Sequence, residues 1–279
     1  RPDSSNISTI PRPNSVVFKV FEGDYEAVVV KLARAKKIQI EVGNYYTHIH
    51  MKLTGGYTAR LERSAILWDI GGASYSFVGK FDIKPFSSFY EENSISAIEE
   101  CLSTFFDGIW KRHYDNSYTR NNASLFQIYS QVWGNWYEKK VKNIKPPLTD
   151  LTTPYGVPDP IRWIQEKVIN VDKEPVSSGD IHVAITHGDL HGDNLLIDSK
   201  RNAWVIDFER CGEGHVLQDF IELESDIYNR LEARNFNKTA FINMYLKILK
   251  EKQIREFDSA EPVSNNEQID KAIRTVSFL

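Results

Sequence analysis

Cysteine is almost missing from this chain of 279 residues, which has only Cys101 and Cys211. Two cysteines cannot build a disulfide framework; they fit a reducing compartment, and the cytoplasm is the expected location. No apolar run approaches the roughly 20 residues that a membrane helix requires. The opening RPDSSNISTIPRPN is polar and proline-rich and carries no secretory signal. A large excess of one charge is also absent. The net charge of -4 argues against a protein that coats polyanions, although it allows a local basic patch. Internal repeats and low-complexity tracts are lacking. What remains is ordinary for a folded protein, with 41% apolar and 26% charged residues. A chain of this length buries roughly three-quarters of its unfolded surface and needs no disulfide or metal staple. It starts at Arg1 and stops within the helix-like KAIRTVSFL, as expected of a piece cut from a longer protein.

The hydrophobic pattern divides the chain. After a short apolar element in SNISTI, VVFKVF (16–21) and EAVVVKLA (26–33) flank Glu22-Gly23-Asp24-Tyr25 and read as a hairpin. From Lys36 to Leu53, apolar residues recur at steps of three and four, which predicts a helix stopped by Thr54-Gly55-Gly56. TARLERSAILWDI and SYSFVGKFDI read as two further strands joined at Gly71-Gly72. Beyond Lys84-Pro85 the spacing becomes helical over 91–113, 123–142 and 158–170. Thirteen of the 34 aromatic residues lie between 86 and 137, where an even spread would put about six. They read as helical core or, alternatively, as an aromatic wall over a substrate site. The strands HVAIT (182–186), LLIDS (195–199) and AWVIDF (203–208) follow, then helices at 215–233, 237–256 and from Asn266. The expected division is a sheet-rich lobe at 1–84 and a helical lobe at 85–279, hinged near 81–88.

The segment 185–209, ITHGDLHGDNLLIDSKRNAWVIDFE, carries the chemistry. Asp189 lies in a loop just after a strand. Asn194 opens the next strand and Asp207 ends its partner, so a tight hairpin lets them point at one place. An amide oxygen and a carboxylate suit Mg²⁺, which takes few protein ligands and completes its shell with water and phosphate. Asp189 is placed to accept a proton from an attacking hydroxyl. This is the set that phosphoryl transfer uses, and the Asp-x-x-x-x-Asn spacing equals that of the protein-kinase catalytic loop. Asp207-Phe208 stands where a kinase has Asp-Phe-Gly, with Glu209 in place of the glycine.

HGDLHGDNLL followed by VIDFE resembles the aminoglycoside phosphotransferase and choline kinase group of kinase-like enzymes. The run VVVKLA…IQIEVGNYYTHI is similar to a bacterial relative, the ternary-complex-associated kinase-like domain. The resemblance implies an α+β, two-lobed protein-kinase-like fold with a small antiparallel sheet lobe carrying one helix and a larger helical lobe. It implies ATP as donor, Mg²⁺ as cofactor and a hydroxyl of a small molecule, or of a protein, as acceptor. Nucleic acid and membrane are not expected partners; further domains of a longer chain are. Asp219, in HVLQDFIELE, matches the aspartate that holds the catalytic loop in such folds. Lys31 matches the strand lysine that contacts donor phosphates and Glu41 the helix glutamate that fixes it, with Glu22, Glu26 and Glu62 as competitors. The loop between the first strands, Pro11-Arg12-Pro13-Asn14-Ser15, lacks the glycines usual near phosphates; Ser15 and Arg12 are the groups left to bind one. That departure keeps a second reading open: a kinase-like pseudoenzyme acting as a nucleotide-binding or regulatory module.

Other residues have plainer readings beside sharper ones. His187 and His191, four apart, invite zinc, but Gly188 and Gly192 disfavour the helix on which such pairs usually sit. Asp193 and Asp198 read as turn residues. The seven acids from Asp207 to Asp226 form either a solvated face or an acidic wall that favours a cationic acceptor. Arg34, Lys36 and Lys37 gain nothing from the dipole at a helix start and either face phosphates or form a solvated cluster. Lys139, Lys140, Lys142 and Lys145 look like an exposed helix end.

Overall fold

The computed structural model describes residues 8–12, 15–20, 28–53, 58–76, 83–134, 139, 159–166, 178–232, 239 and 267–279. The turn at 22–25 and most of the expected helices at 237–256 and 123–142 beyond Trp133 lie outside them. The chain forms two compact units, one of 1–112, 189–211 and 219–279, the other of 113–188 and 212–218.

The first unit opens with a five-stranded antiparallel sheet in the order β1-β2-β3-β5-β4. Its strands are β1 (Ser8–Arg12), β2 (Ser15–Val20), β3 (Val28–Arg34), β4 (Leu61–Leu67) and β5 (Ile70–Ser76). Between β3 and β4 runs α1 (Ala35–Asn44), continued by a wider turn over Tyr45–Ile49. Strand, strand, strand, helix, strand, strand is the expected order. One detail differs: Gly71 and Gly72 lie inside β5, and the chain turns instead at Trp68-Asp69, with Trp68 at φ 55°. The Asp69 carbonyl accepts the first helical N–H of α1, from Ala35, at 2.7 Å, so that turn caps the helix.

Gly71 is where α1 rests on the sheet. A Cβ there would stand 2.7 Å from Ile38 Cβ and 2.8 Å from Ile66 Cδ1. Ile38 and Glu41 of α1, with Tyr45 and Ile49 of the wider turn that continues it, form the buried stripe. Gly71→Ala should therefore lift α1 and cost about 1–3 kcal/mol, as overpacked cores do. A thermal melt should show a fall of a few degrees, and an unchanged midpoint would mean that the helix yields freely at this contact.

The rest of the first unit is mainly helical: α2 (Phe86–Glu92), α3 (Ile95–Ser103) with a wide turn at Thr104–Ile109, and α4 (Lys111–Asp115), whose last residues pass into the second unit. Phe86, Phe105 and Trp110 are wholly buried and Phe89, Tyr90 and Phe106 nearly so, which favours core over an exposed aromatic wall for this stretch. Cys101 and Cys211 are free and buried, and burial pushes the Cys101 thiol up to about 12. A small sheet ordered β10-β9-β6 joins β6 (Lys84–Pro85), β9 (Leu195–Ile197) and β10 (Ala203–Val205). Asp198 stays at its hairpin: burial pushes its carboxyl up, but the Asn202 and Trp204 side chains and the N–H groups of Asn202 and Lys200 hold it below the usual value.

The second unit holds a sheet ordered β11-β8-β7, made of β7 (Tyr118–Ser124), β8 (Ser178–Thr186) and β11 (Gly212–His215). Its core is Ala123, Ile128, Ile181 and Val183, with Ile128 on α5 (Leu125–Trp133). α6 (Pro160–Ile164) starts at Asp159, whose carboxylate accepts from the Ile161 and Arg162 N–H groups. Neither β7 nor β11 is apparent in the sequence. YTRNNAS and GEGH carry no apolar alternation, and both gain strand form by pairing with β8 far along the chain. The chain closes on α7 (Gln218–Asp226), a wide turn at Ile227–Glu232 and α8 (Glu267–Phe278). Among the described residues no helix is long and apolar enough to cross a membrane.

Candidate active site

The expected site residues all lie in the first unit, and all but Ser15 are drawn together there. Lys31, on β3, lies opposite Val17 of β2 and Ala73 of β5. Its ammonium reaches Glu41 Oε2 at 2.7 Å and Asp207 Oδ1 at 2.8 Å. Residues ten and 176 positions apart in sequence thus share one cation. Glu41 sits on the apolar stripe of α1, and only 1% of its surface is exposed. Of its competitors, Glu62 is exposed on β4, 3.8 Å from Arg60, and Glu22 and Glu26 lie outside the described residues.

The electrostatics follow from one ammonium between two carboxylates. Burial opposes the charge on Lys31, but Asp207 and Glu41 outweigh it and raise its pKa. Burial lifts the Glu41 carboxyl above the usual range; Lys31 pulls it back and Asp207 pushes it up again. One ammonium thus stands between two carboxylates, and a further cation beside Asp207 would give the second a partner of its own.

Asn194 and Asp207 are brought together by their hairpin. β9 and β10 pair with Leu195 opposite Val205, and the Ile206 N–H donates to the Asn194 carbonyl at 3.1 Å. That bond sets Asn194 across from the residue before Asp207. Asn194 is wholly buried, and its Nδ2 donates to the Asp189 carbonyl at 2.9 Å. Among the described residues its buried Oδ1 has no hydrogen-bond partner, which a buried amide oxygen tolerates poorly. An orphaned amide oxygen and a carboxylate in an electron-rich cluster fit a hard cation with few protein ligands. Among the described residues no three His, Cys, Asp or Glu side chains are grouped to hold a metal, so the zinc reading of His187 and His191 gains no third ligand.

Asp207 adopts φ 70° and ψ 75°, a left-handed conformation sparse for residues with a side chain. The contacts that follow it in sequence hold it there. Asn44 Nδ2 donates to the Phe208 and Glu209 carbonyls at 3.1 and 2.9 Å. Phe208 is wholly buried beside Tyr45, and Lys37 bridges to Glu209 at 2.9 Å. Glu209, standing where a kinase glycine would, thus ties this segment to α1. Of the three basic residues at the helix start, Lys37 is engaged and Arg34 and Lys36 are exposed.

The loop around Asp189 is braced from several sides. Gly188 turns the chain at φ 76° just before Asp189. Glu222 accepts the Leu190 N–H and Asp226 the Gly192 N–H, each at 2.8 Å. Asp226 also pairs with Arg230, and Asp193 takes Ser87 Oγ at 2.6 Å and Arg230 at 3.2 Å. Asp193 is thus a tie between α2 and the loop, more than a turn residue. Gly192 lies so close to Ser87 and Arg230 that a Cβ would stand 3.1 and 3.2 Å from them. Asp219 is wholly buried on the same helix, and Glu222 and Asp226, one and two turns further on, accept N–H groups of the loop. The run of acids is therefore neither a solvated face nor a free wall, since most of its members are engaged. Asp189 Oδ1 meets the Arg210 guanidinium at 2.9 Å, with both groups partly exposed. Ser15 opens β2 opposite Arg12, and among the described residues it has no hydrogen bond to the cluster. Sequence reasoning missed Asn44, Tyr75 and Arg210 as parts of this network and named Lys37, Glu222 and Asp226 only as members of charged clusters. The one available signal was Glu41, a charge on an apolar helix face.

Comparison with solved structures settles the fold. The GDP and kanamycin complex of the phosphotransferase APH(2'')-IIia superposes with a TM-score of 0.54 at 12% sequence identity, covering 97% of this chain and 91% of that one. The fold is that of the aminoglycoside phosphotransferases. A phosphotransferase of that kind from Streptomyces rimosus gives 0.50 at 11% identity over 98% of this chain and 92% of its own. An amicoumacin kinase bound to AMP-PNP and Ca²⁺ gives 0.51 at 11% over 88% and 72%. The expected α+β, two-lobed, protein-kinase-like fold is borne out. Residues 154–279 match the family model described as ternary complex associated domain 9, in line with the narrower resemblance read from the sequence. No curated protein matches the sequence.

Proposed function

We propose that this protein is an ATP- and Mg²⁺-dependent phosphotransferase that moves the γ-phosphoryl group to a hydroxyl of a small molecule. The observation that carries the reading is the shared cation: Lys31 within hydrogen-bond reach of both Glu41 and Asp207. Lys31, steadied by Glu41, binds donor phosphates. Asn194 Oδ1 and the Asp207 carboxylate would hold Mg²⁺, which would supply positive charge against the donor phosphates. The Asp189 carboxylate accepts the acceptor hydroxyl's proton as its oxygen bonds to the γ-phosphorus. The bond from that phosphorus to the bridging oxygen breaks, and ADP leaves with the electron pair. Ser15, at the glycine-free loop, is a phosphate contact of the same proposal, as is the division into a nucleotide-clamping lobe at 1–84 and a catalytic lobe at 85–279. Cytoplasmic location belongs to it as well.

Neighbouring structures crystallised with AMP-PNP or GDP support a nucleotide donor. The kanamycin bound to one of them supports a cationic acceptor, although the pairing of Asp226 and Glu209 with Arg230 and Lys37 leaves fewer carboxylates to receive it. The test is a thermal shift with AMP-PNP, with Mg²⁺ and then with EDTA, followed by ATP turnover with and without a panel of hydroxyl acceptors. Stabilisation that requires Mg²⁺, together with turnover, supports the enzyme. Binding with no turnover on any acceptor replaces it with the nucleotide-binding module, and absence of both removes the nucleotide reading.

A further inference from the structure

Glu41 is held by two donors, and only Lys31 belongs to the phosphate-clamp pattern. The second is Tyr75 on β5, opposite Val29 of β3 and Leu61 of β4. Its phenol O–H donates to Glu41 Oε1 at 2.7 Å while Lys31 takes Oε2 at the same distance. Each carboxylate oxygen thus has its own fixed donor, and both contacts are buried. The Tyr75 ring is itself buried and lies edge-on to Tyr45, with centroids 6.4 Å apart, so packing sets its orientation. Burial, and then Glu41, push the phenol well above its ordinary range, so it stays protonated and acts only as a donor.

We propose that Tyr75 is a positioning residue of the nucleotide site: it fixes the Glu41 carboxylate so that Lys31 is presented to donor phosphates instead of collapsing onto Asp207. The inference rests on the phosphotransferase reading. An ammonium has three N–H donors. Glu41 and Asp207 take two, which leaves one for a phosphate oxygen. The direction of that third donor depends on where the first two acceptors stand. Glu41 is the acceptor from the helix, and a glutamate has three side-chain torsions to fix. Lys31 alone does not fix them, because it is equally drawn to Asp207 at 2.8 Å. Without the phenol, Glu41 Oε1 becomes a buried carboxylate oxygen with no donor, and the side chain turns to find one. Lys31 then loses its anchor on α1 and keeps only the one on Asp207, the residue that the reading assigns to the metal.

Tyr75→Phe keeps the packed ring and removes the donor. Tyr90→Phe is the matched control: its phenol also donates at 2.7 Å to a buried carboxylate, Glu232, in the same unit but with no contact to the clamp. Both variants should melt somewhat lower than wild type. Only Tyr75→Phe should weaken AMP-PNP binding in Mg²⁺, by up to roughly 10- to 150-fold, the loss expected for one hydrogen bond to a charged group. It should raise KM for ATP without moving KM for the acceptor. Equal effects of the two variants, or none, would make Tyr75 a packing residue only. A crystal structure of Tyr75→Phe gives a readout that needs no nucleotide: the Lys31–Glu41 contact should open beyond hydrogen-bond reach, and its retention at 2.7 Å overturns the inference. If the wild-type protein binds no nucleotide, the phosphotransferase reading fails by itself, and that distance alone decides whether Tyr75 positions the clamp.

Discussion

Replacing Asp189 by asparagine should lower turnover by roughly 10²–10⁴-fold, the range of a lost general base, and leave ATP–Mg²⁺ binding within a few-fold. The separation follows from which atoms of Asp189 do what. Its backbone carbonyl holds Asn194 Nδ2, and that bond survives the substitution. Its carboxylate faces Arg210 and has no hydrogen bond to Lys31, Glu41 or Asp207 among the described residues. The substitution keeps the shape of the side chain but removes the proton acceptor and the charge. Single-turnover assays with the best acceptor from the panel, beside titration calorimetry with AMP-PNP and Mg²⁺, read the two quantities apart. Unchanged phosphoryl transfer would remove Asp189 from catalysis. A parallel fall in nucleotide affinity would place it in the nucleotide site instead.

Asp207→Asn should act on the other quantity. Asparagine tolerates the left-handed backbone about as well as aspartate, so the φ of 70° is not the cause of any loss. What disappears is the charge, and with it a charge-assisted bond to Lys31 at 2.8 Å and a strong oxygen ligand for a hard cation. The gain in AMP-PNP affinity between EDTA and Mg²⁺ should shrink by about 10-fold or more, equivalent to at least about 1.4 kcal/mol. Affinity in EDTA should change far less. If both conditions weaken equally, Asp207 serves only Lys31 and the cation is held elsewhere. If neither changes, the assignment of Asn194 and Asp207 as a metal pair fails.

Much of the chemistry is legible along the chain because it depends on spacing. Asp189, Asn194 and Asp207 lie in one segment, and a hairpin of known connectivity brings its two ends together whatever surrounds it. Lys31 and Glu41 are legible only through the resemblance to kinase-like enzymes, since a lysine and a glutamate ten residues apart carry no such mark by themselves and Glu22, Glu26 and Glu62 compete. The acids after Asp207 are the opposite case. Composition presents them as one class, but each has a different partner: an ammonium for Glu209, a backbone N–H of the loop around Asp189 for Glu222, and an N–H with an arginine for Asp226. The aromatic-rich stretch is intermediate, since periodicity makes it helical and only burial assigns Phe86, Phe105 and Trp110 to the core.

By itself the sequence determined the order of elements from β1 to β5 and the spacing of Asp189, Asn194 and Asp207. Each of these rests on local periodicity, on turn chemistry or on side-chain types at fixed separation, and such interactions are set within a few tens of residues. Tertiary structure alone decided what holds those groups still. Tyr75 reaches Glu41 across 34 residues and Asn44 reaches the Phe208 carbonyl across 164. β7 becomes a strand only because β8 supplies its partners. Gly71, read along the chain as a turn, is a glycine because α1 leaves no space there for a Cβ. A contact of this kind depends on how two distant surfaces meet, and neither surface carries a mark of the other in its own residues.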